Sequence, residues 1–211
     1  MIKYKLTTQD MKTRVGYYNE IQWKIGKKFV TSGNGSLCSD GWLHYYHDPI
    51  LAIIMNQQHA KILNPRLFEC QAEGNHLDNY GLKGGCTEMT LIREIQIPEV
   101  TVNHIIVFSI LCAKQVYKDI VWNEWADNWL NNKDRSHTTA IAHKPFSHDI
   151  LSDSYAAISA AFFATLSATL SDANSMLYNY YASISAISAI DAADDYKIDF
   201  ISLAKEAMRY K

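Results

Sequence analysis

The chain has 211 residues, a formal net charge of −2, 48% hydrophobic residues and 12% aromatic residues. This length allows one large domain or two small ones, and the apolar content excludes global disorder. A near-neutral chain lacks the strongly basic character of a general nucleic-acid binder, so we expect no DNA partner.

Residues 1–100 have the pattern of a β-rich domain. Short apolar runs alternate with turn signals, which predicts strands at residues 2–6, 21–25, 43–46, 67–72 and 89–97. Gly74-Asn75 and Gly84-Gly85 are among the predicted turns between them. Asp48-Pro49 predicts a capped helix start that leads into residues 50–56.

Residues 101–145 predict a helical extension and a linker. Apolar residues at three- and four-residue intervals indicate a helix over 102–122 and a second helical stretch over 123–130. Trp122, Trp125 and Trp129 share one face of it, which favours core packing of a helix on a sheet over a ligand platform. Residues 131–147 have the composition of a loop.

Residues 146–211 form a tail rich in Ala and Ser, with no Lys or Arg between Lys144 and Lys197. Helices are predicted at 152–170, 172–190 and 202–209. One apolar stripe should pack against the first domain, another tail helix or another subunit, and we expect a homo-oligomer. The stripe contains Ile158, Phe162, Leu166 and Leu170. The predicted fold class is therefore α+β: a β-rich N-terminal domain followed by an α-helical C-terminal part of small-residue helices.

Two tail segments, 154–171 and 173–190, are uncharged and approach the length needed to cross a bilayer. Their Ser, Thr, Tyr and Asn content and the lack of a basic flank favour a soluble helical layer, so no membrane partner is expected. Residues 1–10 lack the apolar run of a secretory signal. No pair among the four cysteines has C-x2-C spacing, which favours a reducing cytoplasm and buried thiols.

The chain carries no P-loop, G-x-S-x-G, H-E-x-x-H or G-x-G-x-x-G motif. Cys38, His44 and His47 are metal-capable, but three ligands without a fourth at a suitable spacing do not define a zinc site. No metal or cofactor is therefore expected.

Aromatic and basic residues are interleaved in the β-rich part, and this is the main candidate for a binding site. Aromatic faces stack on bases, and Arg or Lys pairs with phosphates, so such a set suits one nucleotide-sized ligand. The alternative is a half-buried aromatic core with a solvated basic rim. A second candidate, in 133–136, is alternatively a charged turn. The candidate ligand-binding residues are Arg14, Trp23, Lys24, Trp42, His44, Tyr45, Arg66, Lys83, Lys133 and Arg135.

Short segments spread over residues 22–136 carry a resemblance to a known family. They are Gln22-Trp23, Gly26-Lys27, Leu37-Cys38, Gly41-Trp42-Leu43-His44, Asp48-Pro49 and Trp129-Leu130-Asn131-Asn132-Lys133-Asp134-Arg135-Ser136. They resemble an uncharacterised family of phage and bacterial proteins with an Ala-rich helical tail. The chain departs from the pattern by placing Leu43 between Trp42 and His44.

The resemblance implies a phage accessory protein that acts in the host bacterial cytoplasm and counters host defence. The leading hypothesis is non-enzymatic sequestration of a nucleotide-derived immune signal, such as a cyclic ADP-ribose isomer or a cyclic nucleotide. Two alternatives stay open. One is a protein-binding inhibitor of a host defence protein. The other is an ADP-ribosyltransferase-like enzyme, because the segment around Gly41 resembles the strand-turn-helix of that fold. Glu88 or Glu94 would then be the catalytic acid.

Overall fold

The computed structural model describes residues 1–145, 155–169, 175–193 and 198–210. The chain divides into two compact units, Met1–Glu99 and Val100–Lys211. The first contains an antiparallel sheet, and the described residues of the second form helices. The α+β prediction is therefore confirmed.

The first unit contains seven strands and two short helices. In chain order they are β1 (Ile2–Thr7), β2 (Lys12–Thr13), β3 (Ile21–Gln22), β4 (Lys28–Val30), β5 (Leu43–Tyr45), α1 (Pro49–Ile54), α2 (Asn56–His59), β6 (Arg66–Asn79) and β7 (Lys83–Ile95).

The main sheet has the order β1-β6-β7-β4, and β5 pairs with β7 beside β4. A single antiparallel bridge between Tyr4 and Tyr46 joins the residue after β5 to β1. The strand path β1-β6-β7-β5 therefore returns to β1. Backbone pairing between β1 and β5 is limited to this bridge, which leaves a gap between the two strands beyond it.

The interior of this sheet is built from alternate residues of its strands. The core cluster combines Trp23 with side chains of β5, β6 and β7, including Leu43, Phe68, Cys86 and Met89. Lys5 and Phe68 are directly opposite in the β1–β6 pair, so they lie on the same face of the sheet. An antiparallel pair thus places a lysine of β1 at the edge of an apolar core.

Two predicted turns are wrong, because their glycines lie inside long strands. Gly74 has φ +77° and occupies an irregularity of β6, where the register with β7 shifts. Gly84 lies in β7, and this strand position needs glycine because the ring of Tyr45 packs where a Cβ atom would be. The actual turn between β6 and β7 uses Tyr80 and Gly81, both with positive φ.

The predicted start of α1 is confirmed. The Asp48 carboxylate accepts a hydrogen bond from the Ile50 backbone N–H at 2.8 Å, and Pro49 occupies the first turn. The helical segment then continues as α2 to His59, beyond the predicted end at residue 56. The segment after α2 is joined to the residues after β1, since the Gln9 side-chain amide donates to the Asn64 carbonyl at 2.6 Å.

The described helices of the second unit are α3 (Val102–Val116), α4 (Ile120–Leu130), α5 (His137–Ala142), α6 (Tyr155–Thr169), α7 (Ser175–Ala192) and α8 (Phe200–Ala207). The helix predicted over 102–122 breaks after Val116, because Asp119 caps α4 by accepting from the Trp122 N–H. The predicted loop over 131–147 contains α5. The predicted helix starts at 152–154 and 172–174, and Leu170, lie outside the described residues.

The three tryptophans of α4 are buried, as predicted, but a helix rather than a sheet supplies a partner. The Trp122 indole N–H donates to the Thr165 hydroxyl of α6 at 3.0 Å. Trp125 and Trp129 are equally buried, and their indole N–H groups have no partner among the described residues.

Small residues form the contact between α6 and α7. Ala160, Ala164 and Ala186 are fully buried, and the Ser185 hydroxyl donates to the Ala160 carbonyl of α6 at 2.8 Å. Of the predicted apolar stripe, Ile158, Phe162 and Leu166 are only half-buried, because the alanine face of α6 packs inward instead. Among the described residues, no helix is both long and apolar enough to span a membrane.

Candidate anion-binding cavity

A cavity of about 410 Å³ opens in the first unit where β1 and β5 separate. Its wall includes Lys5 and Leu6 of β1, Leu43 and His44 of β5, and the segment that follows α2. Val15 and Leu63 are exposed side chains on its wall, so the cavity is open to solvent. Its volume is in the range of sites for small molecules.

Three of the ten predicted site residues line this cavity, namely Arg14, His44 and Lys83. Two further cations, Lys5 and Lys61, join them. None of the described residues on the wall is Asp or Glu. The four cations are Lys5, Arg14, Lys61 and Lys83, and none of them forms an ion pair within the described chain. The lining therefore carries an excess of positive charge, and Asp40, which lies outside the lining, offsets part of the charge of Arg14.

Lys5 and Arg14 bind backbone carbonyls that the gap would otherwise leave without a donor. Tyr46 exchanges both backbone hydrogen bonds with Tyr4, so by strand alternation the carbonyls of His44 and Trp42 face the same side. The Lys5 ammonium donates to the His44 carbonyl at 2.6 Å, and Arg14 donates to the Trp42 carbonyl at 2.6 Å. Arg14 also donates to the Ser39 and Asp40 carbonyls at 3.5 and 3.2 Å, so Lys5 and Arg14 each keep about two further N–H donors.

Burial shifts the pKa of several residues on the wall, including Lys5, His44 and His59. It is the largest cause that lowers the pKa of Lys5 to about 8; Cys70 and Cys86 oppose this shift, and Arg14 and Lys83 add to it. Burial also lowers the pKa of His44 to about 3, with Lys5 as the next cause. His44 is therefore neutral near pH 7, and its Nε2–H donates to the Leu37 carbonyl. The positive charge of the cavity comes from Lys and Arg.

The three predicted aromatic residues lie in the core and do not line the cavity. The Trp23 indole N–H donates to the Thr13 hydroxyl at 2.9 Å, and its ring lies 5.2 Å below the Lys5 ammonium. Trp42 donates to the Gly35 carbonyl, and the Tyr45 hydroxyl bonds to His76. Their placement corresponds to the aromatic-core alternative.

The remaining predicted residues lie away from the cavity. Lys24 is exposed, and Arg66 forms a two-point ion pair with Glu94. Lys133 and Arg135 belong to the second unit. Arg135 covers the Trp129 ring and donates to its carbonyl, while Lys133 borders an open surface depression.

The metal-capable residues are engaged in other contacts. The Cys38 thiol accepts from the Lys83 ammonium at 3.4 Å, and His47 lies between Lys3 and Asp78 in a hydrogen-bonded chain. No group of three or more His, Cys, Asp or Glu side chains in the described parts of the chain could hold a metal ion.

Sequence reasoning missed Lys5, Lys61, Tyr46 and His59, which all line the cavity. Lys61 and His59 follow a predicted helix with no motif to single them out. Lys5 lies in a correctly predicted strand, and a signal was present there: Lys3 and Lys5 alternate in phase within an apolar run.

One family model matches the chain over nearly the same residues as the first unit. Residues 1–103 match the family described as "Domain of unknown function (DUF7666)". This match covers the whole cavity wall. No curated protein and no solved structure matches the chain. The N-terminal part is thus consistent with an uncharacterised family, as the sequence resemblance predicted.

Proposed function

We propose that the first unit binds a small phosphorylated ligand of the nucleotide class in the cationic cavity and does not convert it to a product. The observation that carries this proposal is that Lys5, Arg14, Lys61 and Lys83 all line one cavity whose lining contains no carboxylate. Such an arrangement favours the binding of an anion.

Electrostatics supports an anionic ligand. Lys5 and Lys83 are each only 7% exposed, and a buried ammonium without a counter-ion is unfavourable unless a partner supplies the opposite charge. A phosphate offers several acceptor oxygens to the remaining N–H donors of these residues. Phosphate binding would therefore remove a cost that the ligand-free protein carries.

The rest of the wall supports a ligand with an apolar body. Leu6, Ile21, Ile62 and the exposed Leu63 surround the cations, and the Tyr46 ring stacks on His59. A nucleotide combines a phosphate with a flat, weakly polar base, which suits such a wall. In the cell, we propose that binding withdraws a nucleotide-derived signal of bacterial defence, as the resemblance to phage accessory proteins implies.

The positions of two acidic residues favour binding over an ADP-ribosyltransferase-like reaction. Glu88 pairs with Lys28 at 2.8 Å, and Glu94 pairs with Arg66. Neither residue lines the cavity. Both candidates for the acid of such a reaction, Glu88 and Glu94, therefore form ion pairs outside the cavity.

Calorimetric titration of the full chain in phosphate-free buffer tests the proposal. The panel contains AMP, a cyclic nucleotide, ADP-ribose, a cyclic ADP-ribose isomer, inorganic phosphate and adenosine. We expect the phosphorylated compounds to bind and adenosine to bind much more weakly. Mass spectrometry of small molecules released by heat denaturation identifies any ligand that survives purification.

A matched pair of variants locates the site. Lys83→Met removes a cavity cation, and we expect at least about 10-fold weaker binding from the loss of one charge-assisted hydrogen bond. Lys24→Met removes an exposed lysine outside the cavity and should leave affinity unchanged. Failure of every phosphorylated compound to bind, or equal effects of both variants, would contradict the proposal.

A further inference from the structure

Lys5 is a buried lysine of the cavity whose amine binds a backbone carbonyl and lies over an aromatic ring. Its ammonium nitrogen is fixed by the 2.6 Å bond to the His44 carbonyl and lies 5.2 Å from the Trp23 ring centroid. The side chain is 7% exposed and nevertheless lines a cavity that opens to solvent. The buried amine thus belongs to a side chain that lines a small-molecule space.

Burial of Lys5 favours loss of its proton and is the largest cause of its lowered pKa. Within the described residues Lys5 forms no ion pair; Arg14 and Lys83 lower its pKa further, whereas Cys70 and Cys86 oppose the shift. A lysine that is desolvated and close to other cations is an activated amine nucleophile. The charged or titratable groups that face it from the neighbouring elements are Arg14, His44, Cys70, Lys83 and Cys86.

We propose that Lys5 is a nucleophilic amine that forms an imine with an aldehyde group of an anionic ligand in this cavity. The inference rests on the proposed function, because the anionic group is what holds the carbonyl carbon near Lys5. Arg14, Lys61 and Lys83 are the cations available to bind that anionic group.

The reaction requires no co-reactant. The Lys5 nitrogen lone pair attacks the aldehyde carbon, the C=O π pair moves to oxygen, and a proton transfers from nitrogen to oxygen to give a carbinolamine. Loss of water then forms the C=N bond. One N–H of the neutral amine can keep its bond to the His44 carbonyl during the attack, which leaves the lone pair directed away from that carbonyl.

Reductive trapping on the unmodified protein tests this inference. Glycolaldehyde phosphate is the anionic probe, glycolaldehyde is the matched neutral probe, and cyanoborohydride supplies the hydride that converts the imine to a stable secondary amine. Peptide mass spectrometry then measures labelling at each lysine. At pH 8 an ordinary lysine is less than about 1% neutral, whereas Lys5 with a pKa of about 8 is half neutral.

We expect glycolaldehyde phosphate to label Lys5 at least about 10-fold faster than exposed Lys24, since most of this difference in neutral amine should persist after burial slows access. The Lys5 rate should level off above pH 8. Lys5→Arg keeps the charge and should remove the labelled site, and Lys24→Arg is its control. The wild-type map remains decisive if Lys5→Arg does not fold.

The two probes separate this inference from the proposed function. Preference for the phosphorylated probe at Lys5 supports both. Equal, Lys5-selective labelling by both probes supports the nucleophilic amine and contradicts anion binding. Phosphate binding by calorimetry, combined with labelling of Lys5 no faster than Lys24, overturns the inference and leaves the proposed function intact.

Discussion

Replacing Lys5 by methionine should stabilise the ligand-free protein at neutral pH. Lys5 keeps a proton in the folded state below pH 8, although burial disfavours the charge. The difference between its ordinary pKa of 10.5 and about 8 in the fold corresponds to a cost of about 3 kcal/mol. Methionine has a similar length and carries no charge.

The variant also loses a hydrogen bond, which opposes this gain. The His44 carbonyl accepts from Lys5 at 2.6 Å and faces the gap between β1 and β5. Leaving it without a donor costs about 1–2 kcal/mol. At pH 7 the net effect of Lys5→Met is therefore a stabilisation of about 1–2 kcal/mol.

The pH dependence of this difference is the sharper test. Because the folded pKa lies below the unfolded one, the cost is fully present below pH 8. Between pH 8 and 10.5 the unfolded chain still holds the proton that the folded chain has released, so wild-type stability rises relative to the variant. The difference should change sign within this window, since only the lost hydrogen bond remains above it.

Thiol labelling in urea measures the unfolding of each unit separately. Cys70 and Cys86 are buried in the first unit, and Cys112 is buried in the second. Pulsed alkylation at several pH values, in phosphate-free buffer, gives the free energy of unfolding for wild type and variant. Lys24→Met should show no such pH dependence. A constant difference between pH 7 and 10, or a less stable variant at pH 7, would refute the reasoning.

Two further predictions use matched pairs of residues. Gly74→Ala should destabilise the first unit by more than Gly81→Ala. Alanine at either position adopts a left-handed conformation that costs about 1–2 kcal/mol, but only at Gly74 would the added Cβ atom meet the Thr87 side chain of β7. Equal losses of stability in urea unfolding would contradict this steric argument. Trp122→Phe should cost about 1 kcal/mol more than Trp125→Phe, because only Trp122 loses an indole hydrogen bond to a described residue. Labelling of the Cys112 thiol in α3 measures the free energy of unfolding of both variants. An equal loss of stability, or a larger loss for Trp125→Phe, would contradict the prediction.

The strand pattern of the first unit could be predicted well at β1 and poorly at β6 and β7. The apolar alternation at residues 2–6 defines β1 because Ile, Tyr and Leu occupy every second position. In β6 and β7, Gly74 and Gly84 have the local signature of turns. Only their long-range partners, Thr87 and the ring of Tyr45, explain why glycine is needed within a strand.

The face of β1 that contains lysines could not be predicted from alternation alone. Period-two patterning assigns Ile2, Tyr4 and Leu6 to the core and Lys3 and Lys5 to solvent. In the structure Lys3 and Lys5 are each 7% exposed, because β1 pairs with β6 opposite Cys70 and Phe68. The face that carries Ile2 and Tyr4 is the more open one, since Ile2 is 50% exposed and Tyr4 is half-buried, so alternation predicts the wrong buried face for this end of β1.

The candidate site separates the basic residues of the predicted set from its aromatic residues. Trp23, Trp42 and Tyr45 bury large apolar surfaces, and their polar atoms bond within the first unit. Arg14 and Lys83 instead reach the cavity, where Lys5 adds a third charge. The proposed recognition in this cavity therefore rests on the anionic group more than on stacking of a base. Adenosine, which keeps the base and lacks the phosphate, is accordingly the compound in the titration that best separates charge recognition from stacking.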